Sequence, residues 1–394
     1  MTQLSIEMLP AAQGDALWVE WTHEGRPHRV LIDGGPGRTY PALRRRVQRL
    51  PETDKRIDLM TITHVDTDHI DGAVTLLLDD LDVSFGDIWF NGGNHVRNPL
   101  SPVAGGGYLG GVQGEVLSAI LAIPRFPWNA AFSGRAIVVD PRKRAFPDEE
   151  IGGLTFTILS PRVEQLEKLA STWDYDVVKA LRNMELIPEG EQVADVAARI
   201  QQGGVELARK LLASRYPKRI NPPPEWEQVG EDAAYLGDSS NPNRSSIAFL
   251  VEDRSRDLAV LFTGDAHAPV LFKSVVELLM LRGQSRLRLD AIKMPHHGSR
   301  ENISADLLSQ LECKAFLFSS DGSCNYNHPD DEAIQLIIDE AGKRRTRPAL
   351  YFNYLSHRTR SWALKSRGNG ERYEAHFPEQ GEGEHGLIVT VGRP

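Results

Sequence analysis

Four side chains of types that commonly bind metal ions follow a single predicted strand. The apolar run from Ile57 to Ile62 predicts a buried strand, and the stretch from Thr61 to Ala73, TITHVDTDHIDGA, starts at its end. Imidazole and carboxylate ligands together suit Zn, Mn or Fe, and a loop at a strand end can turn alternate side chains toward two neighbouring ions. The spacing therefore favours a metal site over a solvated acidic turn with incidental histidines. The candidate ligands are His64, Asp66, Asp68 and His69.

The pattern HxDxDH resembles the first motif of the metallo-β-lactamase superfamily, which usually reads HxHxDH. Asp66 stands where that family usually has its second histidine. The resemblance implies an α/β fold, namely a four-layer αββα sandwich, formed by a single domain over residues 1–394. It also implies a metal-dependent hydrolase whose cofactors are two divalent metal ions.

A second motif follows the predicted strand from Leu258 to Phe262, which ends in the sequence TGDAH. A carboxylate offers two oxygens, so an aspartate after a buried strand and a glycine turn is well placed to bridge two cations. Asp265 is accordingly predicted to bridge both metal ions. The alternative is an N-cap for the predicted helix from Pro269 to Arg282, a role that is compatible with metal binding.

Two adjacent histidines follow the next predicted strand, Leu287 to Met294, in the sequence PHHGS. Neighbouring side chains on an extended segment point to opposite sides, so only one of His296 and His297 is expected to bind metal. The other histidine is expected to orient the substrate or to transfer a proton. These residues alone leave open which of the two binds.

Several segments resemble the nuclease-like metallo-β-lactamase domain of the ComEC DNA-uptake channels. They are QGDA, LIDGGP, HHGS and the run Tyr326-Asn327-His328-Pro329, which is similar to YGHP. The resemblance implies that Asp33 is a buried residue supporting the ligand loop, with a simple strand-end turn as the alternative. It assigns metal binding to His297 and substrate contact to His296, although the two roles could be exchanged. It also implies that His328 contacts the scissile group, unless this histidine is purely structural.

One ligand position of the family has no histidine in this chain. None occurs from Val96 to Ala266, and Asn243 stands at the corresponding strand entry. An amide oxygen is a weaker ligand for Zn than an imidazole, so one metal is expected to bind loosely or to arrive with the substrate. Asn243 and Asp66 together make the site richer in oxygen, which favours Mn, or even Mg, relative to Zn.

The remaining pattern predicts a β-meander at the start and a helical insertion in the middle. Helix formers dominate from Arg162 to Trp226, so residues 99–226 are predicted to be an insertion, helical from about 162, that roofs or flanks the cleft. Predicted strands are Leu4–Met8, Leu17–Trp21, Arg29–Ile32, Ser84–Phe90, Ile137–Asp140, Leu154–Leu159, Ile247–Glu252, Ala315–Ser319 and Gly386–Val391. Predicted helices are Tyr40–Leu50, Ala73–Leu81, Val163–Ala170, Tyr175–Leu186, Glu191–Ser214 and Asp331–Glu340.

The composition is that of an ordinary soluble globular chain, with 394 residues, 41% hydrophobic and 25% charged. The amino terminus has no basic segment followed by an apolar one, and nowhere do about 18 uninterrupted apolar residues occur. A cytoplasmic location without a membrane part is therefore the default expectation.

Cys313 and Cys324 are too few for a disulfide framework and fit a reducing compartment. A net charge of −9 argues against general coating of nucleic acid but leaves a local basic groove open.

Hydrolysis is the reaction that such a site predicts, because two cations polarise an acyl or phosphoryl oxygen and activate water at neutral pH. Asp68 is suited to hold or deprotonate the attacking water, and His296 or His328 to stabilise charge that develops on the substrate.

The resemblance favours a phosphodiester substrate, either nucleic acid or a small molecule. Basic and aromatic residues interleave from Lys343 to Arg367, a mixture that can bind phosphates and stack bases. An ordinary basic surface is the alternative.

Two other functions stay open. An acyl hydrolase such as a lactonase, a thioesterase or a β-lactamase-like enzyme usually has HxHxDH, so Asp66 counts against it. A catalytically silent metal-binding protein within a larger complex, for example with a partner protein from an operon-type system, belongs to another class. The presence of Asp68 counts against that alternative.

Overall fold

The computed structural model describes residues 3–97, 99–100, 112–171, 173, 240–255, 257–323, 327–368, 372–379 and 386–392. The strands are β1 Leu4–Met8, β2 Leu17–His23, β3 Arg26–Ile32, β4 Arg56–Thr61, β5 Ser84–Trp89, β6 Asp148–Ile151, β7 Leu154–Ser160, β8 Ala248–Asp253, β9 Leu258–Phe262, β10 Leu287–Lys293, β11 Leu311–Phe318, β12 Ala349–Phe352, β13 Glu374–His376 and β14 Leu387–Val391. The helices are α1 Tyr40–Gln48, α2 Thr67–Leu78, α3 Gly93–Arg97, α4 Val112–Leu121, α5 163–171, α6 Asn241–Arg244, α7 Ala268–Arg282, α8 Ala305–Ser309, α9 Asp331–Lys343 and α10 Arg360–Gly368.

Two sheets lie at the centre of the described part of the chain. The first has the strand order β14-β1-β2-β3-β4-β5, and the second has the order β13-β12-β11-β10-β9-β8-β7-β6. Strands β1 to β3 form the predicted meander, and β14 closes the first sheet by pairing with β1. Strands β3 to β5 are parallel, as are β9 to β13. Each parallel block therefore brings several strand ends to one edge of its sheet.

The two sheets face each other, and helices cover both outer faces. Apolar side chains from the inner faces of both sheets, such as Leu59 and Val260, form one buried cluster between them. A second cluster joins α1, α2 and α4 to the outer face of the first sheet. A third joins α7, α8 and α9 to the outer face of the second sheet. The predicted four-layer αββα sandwich is thus confirmed, because each sheet hides one apolar face against the other and one under helices.

Two local predictions were wrong. The helix predicted to start at Ala73 begins instead at Thr67, so the second half of the HxDxDH motif lies in its first turn rather than in a loop. The segment Ile137–Asp140, predicted as a strand, forms only a single bridge between Val139 and Arg162. Asn91 satisfies the amide and the carbonyl of Ile137 with its side chain, which replaces the strand partner that this segment lacks.

The predicted insertion at 99–226 contributes directly to the sandwich where it is described. Within it, β7 pairs with β8 and β6 pairs with β7, so these strands extend the second sheet. Residues 163–171 are helical, as predicted. The predicted helices Tyr175–Leu186 and Glu191–Ser214 lie outside the described residues, and the insertion as a unit stays a prediction.

None of the helices in the described ranges has both the length and the apolar character that crossing a membrane requires.

Helix α2 crosses the turn after β3 at backbone contact. The amide of Gly72 donates to the carbonyl of Gly35 at 2.9 Å, and the amide of Gly34 donates to the carbonyl of His69 at 2.8 Å. A Cβ atom placed on Gly72 would lie 2.0 Å from the carbonyl oxygen of Gly34. The turn that carries Asp33 can therefore approach the helix that carries His69 only because both segments have a glycine where they cross.

We expect Gly72→Ala to lower the free energy of unfolding by about 1–3 kcal/mol, since overlap in a packed interior costs that much and exceeds the gain in helix propensity. Gly342→Ala is the matched control: Gly342 lies in α9, and a Cβ there meets nothing within 4 Å. That substitution should raise stability by up to about 1 kcal/mol. Urea unfolding of both variants measures the difference, and equal stabilisation by the two alanines would contradict the contact.

Candidate metal centre

Loops from both sheets meet at the carboxyl ends of their parallel strands. Asp33 follows β3, His64 follows β4, Asp265 follows β9 and His297 follows β10. The amide of Ile247, which precedes β8, donates to the carbonyl of Thr63 at 2.9 Å and ties the two edges together. In α/β sheets such strand ends are the usual place for a functional site, and here two of them face one another.

Asp265 lies at the middle of this group. Its Oδ2 atom is 3.3 Å from Nε2 of His69, and 3.7 Å from Nε2 of His64 and of His297. His296 is slightly farther, with 3.9 Å between its Nε2 and the same oxygen. The HxDxDH motif and the HHGS motif are therefore adjacent in space, although 228 residues separate His69 from His297.

The other ring nitrogen of each histidine is held by an acceptor. Nδ1 of His69 lies 2.8 Å from Oδ2 of Asp33, and Nδ1 of His297 lies 3.0 Å from the carbonyl oxygen of Ser319. Since neither partner has a proton to give, both Nδ1 atoms donate. In the neutral ring the Nε2 atom then carries a lone pair and can accept. These two Nε2 atoms face each other at 3.3 Å, a contact that needs a positive charge between or beside them.

His64 is oriented by a relay that also ends at Asp33. Thr63 donates its hydroxyl to Asp33 at 2.8 Å and its amide to the same carboxylate at 2.7 Å. The hydroxyl oxygen is consequently the acceptor for Nδ1 of His64, at 3.0 Å. Asp33 thus fixes both histidines of the HxDxDH motif. This contact pattern fits the supporting role that the resemblance implied for Asp33 better than a simple turn.

The residues fit a divalent cation. Nε2 of His64 and Oδ1 of Asp265 are buried and have no hydrogen-bond partner among the described residues, so both atoms can accept a ligand bond. Asp15, His69, Asp265 and His297 form a fully buried group whose ligand atoms lie within 4.8 Å of one another. Unpartnered buried polar atoms are costly, and a bound metal ion removes this cost with imidazole nitrogens and carboxylate oxygens, the ligands it prefers.

The charges of the group also favour a cation. Burial opposes ionisation of Asp265, but the rings of His69 and His297 outweigh it and hold its pKa well below the usual range. Burial likewise disfavours a charged His297, yet Asp265 and Asp15 raise its pKa to about 9. For His69 the carboxylates of Asp265 and Asp33 overcome burial and raise the pKa well above its ordinary value. The negative potential that draws protons to these rings attracts a metal ion equally.

Asp66 and Asp68 contact different histidines. Oδ2 of Asp66 is 3.5 Å from Nε2 of His64, whereas Oδ2 of Asp68 is 3.5 Å from Nε2 of His297. Asp66 precedes α2 as its N-cap, yet its carboxylate makes no capping hydrogen bond and turns to His64 instead. The arrangement has two parts that share Asp265: His64 with Asp66, and His69 with Asp68 and His297.

The reason given for choosing between the two adjacent histidines was wrong. Residues Pro295–Gly298 form a tight 3-10 turn rather than an extended segment, and His296 and His297 both have positive φ, at 47° and 56°. Both rings therefore lie on the Asp265 side. His296 is held through Nδ1 by Oδ1 of Asn302 at 3.0 Å, and its ring packs edge-on against His328, with 5.0 Å between the centroids.

Other predicted contributors occupy different positions. The N-cap of α7 is His267 and not Asp265, so the alternative given for Asp265 was wrong. Asn243 is buried in α6, near Ser246, whose hydroxyl accepts from the amide of Asp265 at 3.2 Å. A ligand role for Asn243 stays a prediction. Tyr326 and Cys324 lie outside the described residues.

Three of the aromatic residues predicted to stack bases, Phe352, Tyr354 and Trp362, are buried, whereas Tyr351 is partly exposed and stacks on His376 with 4.4 Å between the ring centroids. Phe352 and Trp362 are 1% and 2% exposed, and Tyr354 accepts a hydrogen bond from the amide of Ala12. Among the basic residues, Arg344 donates to the carbonyls of Leu308 and Leu311. Most of this aromatic pattern therefore fills the interior around β12, and base stacking by the segment stays a prediction. The side chains of Lys365 and Arg367 lie outside the described residues.

Asp15 is the member of the buried group that the sequence patterns did not single out as a site residue. Its Oδ1 atom lies 3.3 Å from Nδ1 of His297. Its other oxygen contacts the ammonium of Lys293. The only sequence signal was its place in QGDA, where a turn is the ordinary interpretation.

Comparisons with known proteins give distant structural likenesses. No family model matches the chain, and no curated protein matches it either. A solved structure described as a new diphosphatase from the PhnP family has 12% identity and a TM-score of 0.37, covering 99% of this chain and 97% of that one. A metallo-β-lactamase with a HARLDQ motif from Cronobacter sakazakii has 14% identity and a TM-score of 0.21, covering 54% of this chain and 95% of that one. Likenesses this low identify neither a substrate nor a metal for this chain.

We expect Mn²⁺ added to chelator-treated protein to raise the Tm, because a ligand that binds only the folded state stabilises it by about 2.7 kcal/mol at a hundredfold excess over Kd. His69→Ala should remove most of this increase. His95→Ala is the control: this buried histidine contacts the carbonyl of Gly134 at 3.1 Å. It should lower the Tm of the metal-free protein but keep the increase with Mn²⁺. The same increase in all three proteins, measured by scanning calorimetry, would argue against metal binding at this centre.

Proposed function

We propose that this chain is a metal-dependent hydrolase that holds two divalent ions and cleaves phosphodiesters. The observation that carries the proposal is the convergence of His64, His69 and His297 on Asp265, with every Nδ1 held by an acceptor and every Nε2 directed inward. Such an arrangement has no use in the packing of a core, where each lone pair would need a donor.

The two parts of the centre offer different ligands. His64, Asp66 and the proposed ligand Asn243 supply mostly oxygen, whereas His69, His297 and Asp68 supply two nitrogens. When bound, divalent cations polarise a phosphoryl oxygen, lower the pKa of water and neutralise the leaving oxygen. The oxygen-rich part favours Mn, with Mg as a further candidate, and the nitrogen-rich part also suits Zn.

Asp68 is the residue we propose to orient the attacking water. Burial opposes its ionisation, but His297 and His69 lower its pKa to about 2, so it is a carboxylate at neutral pH. Its side chain is 24% exposed, and it is therefore reachable from solvent, unlike Asp265. A carboxylate of such low pKa is a weak base, and its contribution is to hold one water hydrogen and thereby direct the oxygen toward the substrate.

His296 and His328 are proposed to face the substrate. His328 is held through Nδ1 by Oδ1 of Asp330 at 3.2 Å, and Asp330 is fixed in turn by the amide of Arg300 at 2.7 Å. Burial lowers the pKa of His328 despite the raising effect of Asp330, which favours the neutral ring. Its ring lies beside that of His296, with 5.0 Å between the centroids, and the two rings suit the transfer of a proton to or from the substrate.

The phosphodiester class is favoured over acyl substrates by the carboxylate at Asp66. A centre rich in oxygen ligands suits the hard cations that act with phosphates, and the resemblance of the sequence to nuclease-like domains points the same way. The burial of Phe352, Tyr354 and Trp362 weakens the case for base stacking. We therefore propose that recognition is through the phosphate, in a small phosphodiester or in a nucleic-acid backbone.

We expect the purified protein with Mn²⁺ or Zn²⁺ to hydrolyse bis-p-nitrophenyl phosphate, and Asp68→Asn to lower kcat by about 10²–10⁴-fold, the usual contribution of a positioned acid or base. Asp87→Asn is the control, because this buried aspartate accepts from the amides of Ala130 and Ala131 in a loop that supplies no proposed site residue.

A chromogenic lactone and a cephalosporin, assayed in parallel, separate the reaction classes. Turnover of either acyl substrate with none of the phosphodiester would move the assignment to an acyl hydrolase. Binding of Mn²⁺ in a calorimetric titration without turnover of any ester would instead indicate a silent metal-binding protein.

A further inference from the structure

A buried ion pair lies directly behind His297. Asp15 and Lys293 are each 1% exposed, and the ammonium of Lys293 contacts Oδ2 of Asp15. The other oxygen of Asp15 is 3.3 Å from Nδ1 of His297. Because Lys293 is the last residue of β10 and the HHGS turn follows it, the strand that presents His297 also supplies the cation that fixes the carboxylate.

Stability alone does not account for this pair. Taking two charges out of water costs several kcal/mol per ion, and well-packed apolar residues of similar volume are often equally or more stable. The carbonyl of Ser319 already accepts from Nδ1 of His297 at 3.0 Å, so Asp15 is not needed merely to satisfy that proton. What Asp15 adds is negative charge, which strengthens a histidine as a metal ligand.

The turn that carries Asp15 also sets the spacing between the two halves of the centre. The amide of Asp15 donates to the carbonyl of Asp68 at 3.2 Å, and the hydroxyl of Ser319 donates to the carbonyl of Gly14 at 2.8 Å. A Cβ on Gly14 would lie 1.9 Å from the carbonyl oxygen of Asp68. Gly14 and Asp15 are thus in backbone contact with the HxDxDH segment and with the loop after β11 at once.

We propose that Asp15, with its charge balanced by Lys293, is a positioning residue that holds Nε2 of His297 toward Asp265 and strengthens the binding of a divalent cation there. This inference rests on the proposed metal-dependent function. Asp15 belongs to the buried group, but we assign it a positioning role because its Oδ1 atom contacts Nδ1 of His297, whereas Nε2 of that ring is directed to Asp265.

The test compares Asp15→Asn with the double variant Asp15→Asn/Lys293→Met in the full chain. The single substitution leaves the Lys293 ammonium buried without its carboxylate, which endangers the fold. The double substitution removes both charges and should restore the urea midpoint to that of the wild type or above it. In both variants we expect the Kd for Mn²⁺, measured by competition with a chelating indicator, to rise about 10–100-fold for one of the bound ions.

Glu277→Gln is the matched control for loss of an ion pair. Arg162 is buried and contacts Glu277 at 2.8 Å, in the third turn of α7 and about 14 Å along the helix from its first residue. This variant should bind Mn²⁺ as the wild type does. Weak Mn²⁺ binding by a double variant of restored stability supports the positioning role, because a purely structural pair would recover stability and affinity together.

Mn²⁺ binding by the double variant with the affinity of the wild type would overturn the inference and leave the proposed function intact. Failure of the double variant to fold would also overturn it, since the pair would then serve folding. If the wild type itself binds no Mn²⁺, the proposed function fails first, and that outcome is visible before any variant is compared.

Discussion

The centre of this molecule depends on hydrogen bonds that fix one nitrogen of each histidine. Asp33 holds His69 directly and His64 through Thr63, the carbonyl of Ser319 holds His297, and Asn302 holds His296. Because Nδ1 of each ring is held by an acceptor, the orientation of the ring is fixed, and its Nε2 atom is directed toward Asp265. A ring without such a partner could turn, and the convergence would be lost to rotamer freedom. The acceptors therefore determine the chemistry as much as the inward nitrogens do.

The layered architecture makes this arrangement possible. Parallel strands deliver their carboxyl ends to a common edge, and the two facing sheets bring two such edges together. The backbone contact at Gly34 and Gly72 then lets the turn after β3 approach α2 closely enough for Asp33 to reach His69. The apolar layers provide the rigid base, and the loops at the strand ends together with the first turn of α2 carry most of the polar side chains that meet at the centre.

Substrate recognition follows from what surrounds this rigid centre. The more exposed groups are Asp66, Asp68 and His296, with side chains 40%, 24% and 18% exposed, whereas Asp265, His64 and His69 are almost fully enclosed. Carboxylates and imidazoles at the opening can share cations and protons with a charged substrate. Phe352, Tyr354 and Trp362, which could have stacked on bases, are buried instead, and this favours recognition of the phosphate over recognition of a base.

Much of the framework follows from the sequence by itself. Periodic apolar runs gave most strands within a residue or two, because burial of one or both faces leaves a pattern that needs no knowledge of the rest of the chain. The motifs with several ligand-type residues at short spacing, HxDxDH, TGDAH and HHGS, identified nearly every residue of the centre for the same local reason.

Tertiary structure decided the rest. Asp15 joins the group only because the turn after β1 contacts α2, the end of β10 and the loop after β11. A lone aspartate in a turn does not predict such contacts. The HHGS turn directs both rings to one side because His296 and His297 have positive φ. The residue types at these positions do not predict positive φ. Phe352 and Trp362 became core because they pack with the apolar side chains of α9. Whether such side chains face solvent or a neighbouring layer is decided by packing across the fold, not by their order along the chain.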